Sequence, residues 1–202
     1  MVVRYPYSMS HRTQHLPQAT GLRHIWREIR YKESARQILG FVFVFVVTYY
    51  AAPSLALAYL GIPLVLIGTA IRLWSSGHIM KNAMLATDGP YALVRHPLYS
   101  GNILLLFGFA VAASLLWVWI VLAVFLYIFY PTAIEYEDHK LEGIFGQQWR
   151  DWATQTPALI PRSVRTNGGG AGQWSLRISM SRNYEPVIVV VMLVCLIIVF
   201  VK

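Results

Sequence analysis

The sequence predicts an all-α bundle of membrane-spanning helices, about five in number, and two observations carry this prediction. Hydrophobic residues make up 56% of the 202 residues and charged residues only 13%, a balance that is unusual for a soluble domain. The apolar residues are also gathered into three long stretches that contain no charged side chain. A lipid bilayer excludes unpaired backbone groups and solvated ions, so these stretches favour helices within a membrane.

The first charge-free stretch lies between Arg36 and Arg72. As one helix its 35 residues would be about 53 Å long, whereas the hydrocarbon layer of a bilayer is roughly 30 Å thick. The chain must therefore fold back, and the proline within Ala-Pro-Ser at residues 52–54 marks the turn. We predict an antiparallel pair of helices over residues 38–52 and 55–74.

The second stretch, residues 96–134, contains 39 residues and would be about 58 Å long as one helix. It is predicted to bend at the small residues 112–114 and to form helices over 99–113 and 115–130. The third stretch, residues 186–201, has 16 residues and a helical length of about 24 Å. It predicts a fifth, short membrane helix.

Positive charge predicts the orientation of these helices. Seven Lys or Arg residues precede the first apolar stretch, against two acidic residues, so the N-terminal segment is expected in the cytosol. The loop 75–98 and the segment 135–185 then lie on the same side. The formal net charge of +8 is interpreted as attraction to the lipid bilayer rather than to nucleic acid, because the bases flank apolar spans.

The chain is predicted to have four parts. Residues 1–36 form a basic arm whose segment 21–39 has the pattern of an amphipathic helix on the membrane surface. Residues 37–161 form the membrane core, 162–185 form a linker with the flexible run Gly168-Gly169-Gly170, and 186–202 form the last helix. The single cysteine, Cys195, excludes an intramolecular disulfide.

The first candidate site is the polar segment 87–101. Pro97 is suited to the first position of a helix, where a missing N–H is harmless. The free backbone N–H groups after it would favour an anion, with His96 beside them as a donor. In the alternative interpretation, His96 only caps the helix and Arg95 extends to lipid phosphates.

The second candidate site is the acidic cluster at the end of the fourth apolar segment. Glu135, Glu137 and Asp138 are three acids within four residues, and such a group is either solvated or bound to a cation. Because Glu135 and Glu137 are two residues apart, they point to different sides of a helix.

Together the two segments resemble a known family. Gly89-Pro90-Tyr91, the run from Val94 to Gly101, the acids from Glu135 and the residues Phe145-Gly146 are similar to motifs of the isoprenylcysteine carboxyl methyltransferase and phospholipid methyltransferase superfamily. The resemblance covers residues 55–161. It implies a membrane enzyme that takes its methyl group from S-adenosylmethionine in a cytosolic pocket, with a hydrophobic or membrane-partitioning acceptor.

The resemblance also implies roles for individual residues. Glu137 would hold the α-ammonium group of the cofactor, and Arg95, Glu135 and Tyr99 are the candidates for catalysis, although no general base is identified. The proposed cofactor-binding residues are Ala83, Met84, Leu85, Ala86, Tyr91, His96, Pro97, Leu98, Tyr99 and Glu137.

The sequence departs from the prenylcysteine enzymes at Ala133, where they carry an arginine for the carboxylate of the substrate. Low activity on such carboxylates is therefore expected, unless Arg95 or Arg150 replaces that arginine. Two other functions stay open: an NADPH-dependent membrane reductase of the sterol-reductase type, and a non-catalytic membrane scaffold. No metal is expected, because the histidines lack ligand spacing.

Overall fold

The computed structural model describes residues 12–14, 16–78, 84–162, 174–181 and 185–202. Within these ranges the chain forms α-helices and one 3₁₀ turn and contains no strand, so the predicted all-helical fold is confirmed. The helices are α1 (Gly21–Tyr31), α2 (Glu33–Tyr50), α3 (Leu55–Ser76), α4 (Pro97–Ala113), α5 (Leu116–Phe145), α6 (Gln147–Gln155), α7 (Leu176–Ser181) and α8 (Glu185–Val201), and the 3₁₀ turn is Gly89–Ala92.

The bounds of α3, α4 and α8 lie within two residues of the prediction. Two other predicted bounds were wrong. The break between the predicted amphipathic segment 21–39 and the predicted helix 38–52 lies at Lys32, whose backbone is extended (φ −79°, ψ 114°), so α2 begins at Glu33 instead of residue 38. The reason is that α1 packs against α5 while α2 packs against α4 and α8. The flexible run at residues 168–170 lies outside the described residues.

The second wrong bound is the end of α5, which runs to Phe145 instead of residue 130. Pro131 lies inside this helix and removes one backbone donor, yet the residues that follow include good helix formers such as Ala133, Lys140 and Leu141. Thr132 also donates from Oγ1 to the carbonyl oxygen of Arg30 at 3.1 Å, which holds this part of α5 against α1. The apolar part of α5 ends at Ile134, and its charged remainder carries the acidic cluster.

Two helices, α3 and α5, are long and apolar enough to cross a membrane, and α4 and α8 are shorter apolar helices. In each of the two long helices, only 33% of the apolar 18-residue segment is buried inside the protein. A core helix of a soluble protein would be covered by its neighbours, whereas these apolar surfaces face outward. The exposed apolar surface therefore favours contact with lipid.

The helices α3 and α4 approach each other through glycines. A methyl group added to Gly68 would lie 2.6 Å from the backbone oxygen of Gly101, and one added to Gly61 would lie 2.5 Å from that of Gly108. Small residues at such positions allow two membrane helices to pack backbone to backbone. This contact places the beginning of α4, which follows Arg95 and His96, directly beside the end of α3.

Candidate functional site

The two polar segments predicted from the sequence meet at the carboxylate of Asp138. Its Oδ2 accepts a hydrogen bond from Nη2 of Arg95 at 2.9 Å, and its Oδ1 lies 2.9 Å from Nε2 of His96. The side chains of Asp138 and Arg95 are each 18% exposed and that of His96 is 4% exposed. Burial by itself raises the pKa of Asp138, but the hydrogen bonds and charges of His96 and Arg95 hold this pKa below its ordinary value.

Arg95 also binds the segment that follows α6. Its Nη1 donates to the carbonyl oxygens of Ala153 at 3.1 Å and Thr156 at 2.9 Å, and its backbone N–H donates to that of Pro157 at 2.8 Å. Arg95 thus acts as a cross-link between the start of α4, the acidic cluster and the chain after α6. These partners leave it poorly placed to hold a substrate carboxylate.

Next to this cross-link lies a cavity of about 270 Å³. Every predicted cofactor-binding residue that the structure describes lines it, and Ala83 lies outside the described residues. Arg12, Arg95, Lys140, Phe145 and Trp152 belong to the same lining. The predicted residues that line the cavity are Met84, Leu85, Ala86, Tyr91, His96, Pro97, Leu98, Tyr99 and Glu137.

A tight turn places Tyr91 in this lining. Gly89 has a φ of 53°, and a methyl group there would lie 2.6 Å from the ring of His78, so a side chain at this position would be both strained and obstructed. The turn leaves Tyr91 only 8% exposed. Burial, with a smaller effect of Glu137, raises the pKa of Tyr91 above its ordinary value, so its hydroxyl stays protonated at neutral pH.

The two glutamates of the acidic cluster face different partners, as their spacing predicts. Glu137 lines the cavity, and its Oε1 lies 3.6 Å from Nζ of Lys140, a partly exposed pair whose contribution to stability is small. Glu135 instead accepts a hydrogen bond from the hydroxyl of Tyr31 at 2.8 Å. Burial and Glu135 together raise the pKa of Tyr31 to about 12. Glu135 lines neither of the two cavities described here.

Tyr99 lies between the small cavity and a larger one of about 790 Å³, and lines both. Its ring stacks on that of His96, with centroids 5.4 Å apart. The guanidinium carbon of Arg36 lies 4.4 Å from the Tyr99 ring centroid on α4, and Arg36 lines both cavities as well. An aromatic ring and a cation therefore stand where the two cavities adjoin.

The larger cavity is mainly apolar and is lined by residues of α2, α3, α4, α5 and α8. The charged residues of its lining are Glu33, Arg36, Arg72 and Glu185, and Asn102 adds an amide. Its apolar lining includes Phe41, Val44, Leu105, Leu106, Phe125, Val187, Ile188 and Met192.

Sequence reasoning placed Asp138 in the acidic cluster but did not predict its bonds to Arg95 and His96, and it did not place Arg36 at the site. Asp138 follows Glu137 directly, and its distance along the chain from Arg95 gives no sign that they bind each other. Arg36 was counted only among the cytosolic charges. One signal was present: Arg36 is the last charged residue before an apolar helix, so its side chain must lie at the edge of the membrane.

A model of the phospholipid methyltransferase family matches residues 38–148, more than half of the chain. The chain belongs to the phospholipid methyltransferase family. The match covers α3, α4 and α5 completely and α2 from Ile38 onward, and it ends within α6. The family region thus contains the Arg95–Asp138 cross-link and most of the small cavity, whereas Arg36 and α8 lie outside it.

Three curated proteins are similar to parts of this chain. The cobalt-zinc-cadmium resistance protein CzcN of Cupriavidus metallidurans is 36% identical over 134 residues, which are 65% of this chain and 59% of CzcN. The nickel-cobalt-cadmium resistance protein NccN of Alcaligenes xylosoxydans xylosoxydans is 34% identical over 117 residues, 57% of this chain and 53% of NccN. Protein-S-isoprenylcysteine O-methyltransferase B of Arabidopsis thaliana is 35% identical over 77 residues, 38% of this chain and 39% of that enzyme.

The matched part of this family member thus spans little more than half the length of the first two relatives. No solved structure shows a significant match to the chain. Although two relatives are named for metal resistance, the described residues contain no group of three or more His, Cys, Asp or Glu side chains that could hold a metal ion.

Proposed function

We propose that the protein is an integral membrane methyltransferase that uses S-adenosylmethionine and acts on a hydrophobic or membrane-partitioning acceptor. The observation that supports this proposal is the pair of adjoining cavities. The small one is lined by the residues that the family resemblance assigns to the cofactor, and the large one is mainly apolar. Tyr99 and Arg36 stand between them. Such an arrangement lets a water-soluble methyl donor and an apolar acceptor meet at one point.

The lining of the small cavity fits the chemistry of S-adenosylmethionine. The carboxylate of Glu137 suits an α-ammonium group, and the rings of Tyr91, His96 and Tyr99 suit a sulfonium cation. Met84, Leu85 and Ala86 offer an apolar surface for the adenine. When bound, the cofactor supplies an electrophilic methyl group, and transfer breaks the sulfur–methyl bond as the acceptor–methyl bond forms.

The residues of the chain then have to position the acceptor and exclude water. Alignment of two reactants in a near-attack geometry contributes about 7 to 11 kcal/mol to lowering a barrier. We propose this positioning role for Tyr99, one of the three catalytic candidates. Arg95 is assigned to the cross-link with Asp138, and Glu135 to the contact with α1. An acceptor hydroxyl or amine would also lose a proton during the reaction, whereas a carboxylate or thiolate would not.

The membrane arrangement belongs to the same proposal. We place residues 37–161 as the methyltransferase core, with α2, α3, α4 and the apolar part of α5 as four spans, α8 as a fifth span after the core, and the small cavity in the cytosol. Single cysteines introduced at Asp88 and Leu116, in a Cys195→Ala background, should react from opposite sides of the membrane. Reaction of the residue 88 cysteine with an impermeant reagent outside intact cells would contradict the cytosolic cavity.

Glu137 offers the sharpest test of the cofactor site. Glu137→Gln should weaken binding of S-adenosylmethionine by about 1.5 to 3 kcal/mol, roughly tenfold to 150-fold, because a charge-assisted hydrogen bond to the ammonium group is lost. Calorimetric titration of the detergent-purified protein measures this change. Glu142→Gln is the matched control, since Glu142 is on the same helix but pairs with the exposed Arg150 at 2.7 Å.

The same titration separates the three functions that the sequence left open. A methyltransferase binds S-adenosylmethionine and S-adenosylhomocysteine, a reductase binds NADPH, and a scaffold binds none of them. If NADPH binds and S-adenosylmethionine does not, the methyltransferase proposal fails. If S-adenosylmethionine binds equally well to the wild type and to Glu137→Gln, only the role of Glu137 is wrong.

A further inference from the structure

One side chain of the small cavity comes from the segment that precedes α1. We call this segment the strap and define it as residues 12–14 and 16–20, the described residues before α1. Its contribution to the lining is Arg12, and the next described residue of the chain in the lining is Glu33. Because the family match begins at residue 38, the strap adds to the cavity a cation that the family pattern does not contain.

Two hydrogen bonds fasten the strap to α1. Oγ1 of Thr13 donates to Oε1 of Glu28, and Nη1 of Arg27 donates to the carbonyl oxygen of Pro17. Thr13 is also fully buried, with 0% of its surface exposed. Since α1 packs against α5, the strap is held against the bundle at the helix that carries the acidic cluster.

The guanidinium of Arg12 is held by two partners on different helices. Its Nη2 donates to Oε2 of Glu33 on α2 at 2.6 Å, and its Cζ lies 4.3 Å from the ring centroid of Tyr136 on α5. Tyr136 is only 8% exposed, so its ring is a fixed platform for the cation. A guanidinium has five N–H donors in a planar fork, and one carboxylate partner does not exhaust them.

The position of Arg12 over Tyr136 brings it close to the carboxylate assigned to the cofactor. Glu137 is the next residue of α5, and both Glu137 and Arg12 line the small cavity. A cation from the strap and an anion from α5 therefore face one cavity from neighbouring positions. The amino-acid end of S-adenosylmethionine carries one ammonium group and one carboxylate, and it matches such a pair of opposite charges.

The other cations of the lining are less suited to this carboxylate. Arg95 is bound by the cross-link described above, and Arg36 lies where the two cavities adjoin. Lys140 is 37% exposed and lies 3.6 Å from Glu137, and an ammonium group lacks the planar fork that matches a carboxylate. Arg12 is therefore the cation whose contacts and geometry fit best.

We propose that Arg12 binds the carboxylate at the amino-acid end of S-adenosylmethionine, while Glu137 holds the ammonium group. Nη2 of Arg12 stays on Glu33, and other donors of the same guanidinium bind the carboxylate. This assignment rests on the proposed function, because it adds a binding residue for the cofactor of that function. The strap is then part of the cofactor site, and cofactor binding fixes the segment before α1.

Three ligands separate the groups at the end of the cofactor. S-adenosylhomocysteine carries the ammonium group and the carboxylate, decarboxylated S-adenosylhomocysteine lacks only the carboxylate, and methylthioadenosine lacks both. Calorimetric titration of the full chain in detergent measures the affinity for each. Arg12→Gln should weaken binding of S-adenosylhomocysteine at least about tenfold and should not weaken binding of the other two. Glu137→Gln should weaken binding of both ligands that carry the ammonium group.

Matched variants distinguish the carboxylate contact from a structural role. Arg23→Gln removes an exposed cation of α1 and should change none of the three affinities. Arg12→Lys keeps the charge but loses the fork, so its loss should be smaller than that of Arg12→Gln and again confined to S-adenosylhomocysteine. An equal loss for all three ligands in Arg12→Gln would overturn the proposal, and so would a carboxylate-selective loss in Lys140→Gln but not in Arg12→Gln.

Hydrogen exchange gives a second measurement that does not depend on affinity. At saturating ligand, S-adenosylhomocysteine should slow exchange of the strap amides in the wild type, whereas methylthioadenosine should not. If S-adenosylhomocysteine binds and the strap is not protected, the assignment of Arg12 is wrong and the proposed function stands. If neither S-adenosylmethionine nor S-adenosylhomocysteine binds the wild type, the proposed function fails and the assignment fails with it.

Discussion

Asp138→Ala is expected to destabilise the protein by about 3 kcal/mol, because it leaves the largely buried guanidinium of Arg95 without its carboxylate. The substitution also releases the ring of His96, which Asp138 holds at 2.9 Å and which lines the small cavity. Loss of stability and loss of S-adenosylmethionine affinity should therefore appear together. Thermal unfolding of the detergent-purified protein and calorimetric titration measure the two effects.

Glu142→Ala is the matched control for this prediction, since it removes another carboxylate from α5. Its partner Arg150 is 58% exposed, and Glu142 itself is 37% exposed, so the expected loss is below about 1 kcal/mol. Equal destabilisation by the two substitutions would show that the Asp138 cross-link contributes no more than a surface pair.

The effect of Asp138 should also depend on pH. Because the pKa of Asp138 is lower in the folded protein than its ordinary value, its contribution is complete above the unfolded pKa of about 3.9 and is lost as the pH falls through the folded pKa. The difference in stability between wild type and Asp138→Ala should therefore be constant near neutral pH. It should shrink as the pH falls below about 4, which unfolding measured at several pH values would reveal.

Glu185→Ala is expected to destabilise the protein by about 3 to 5 kcal/mol, the usual cost of removing one partner from a buried ion pair. The side chain of Arg72 is only 10% exposed, so its charge would remain inside the bundle without compensation. Because Glu185 begins α8, its loss should also loosen that helix. Hydrogen exchange of α8 and thermal unfolding in detergent would show the two effects.

The double substitution Arg72→Met with Glu185→Met distinguishes the ion pair from packing at this position. Replacing both members of a buried pair by apolar residues is often neutral or stabilising, so the double variant should recover most of the stability that Glu185→Ala loses. If the double variant is as unstable as Glu185→Ala, the ion pair is not the reason for the loss.

The sequence predicted the helices well where local chemistry alone decides them. Two apolar runs would be longer, as single helices, than the bilayer is thick, and they are interrupted at Pro53 and near Ser114. These breaks and the last apolar run predicted the bounds of α3, α4 and α8 to within two residues. Prediction failed at Lys32 and beyond Tyr130, because both depend on packing between α1 and α5. The hydrogen bond from Thr132 to Arg30 across these helices joins residues that are far apart in the chain.

The candidate site shows the same division. Residues in the short run from Tyr91 to Tyr99 must lie near each other, and the family pattern indicated that Glu137 joins them. The structure brings these residues to one cavity. Their binding of the cofactor stays a proposal. The sequence by itself thus determined the helical class, the apolar segments and the residue types of this cavity. Only the tertiary structure decided that Asp138 binds Arg95 and His96, that Arg36 lines both cavities, and that α8 contributes to the wall of the larger one. The physical reason is that these contacts depend on which faces of separate helices meet. The close packing of α3 against α4 through Gly68 and Gly101 is one such meeting of faces, and the sequence of either helix alone does not determine it.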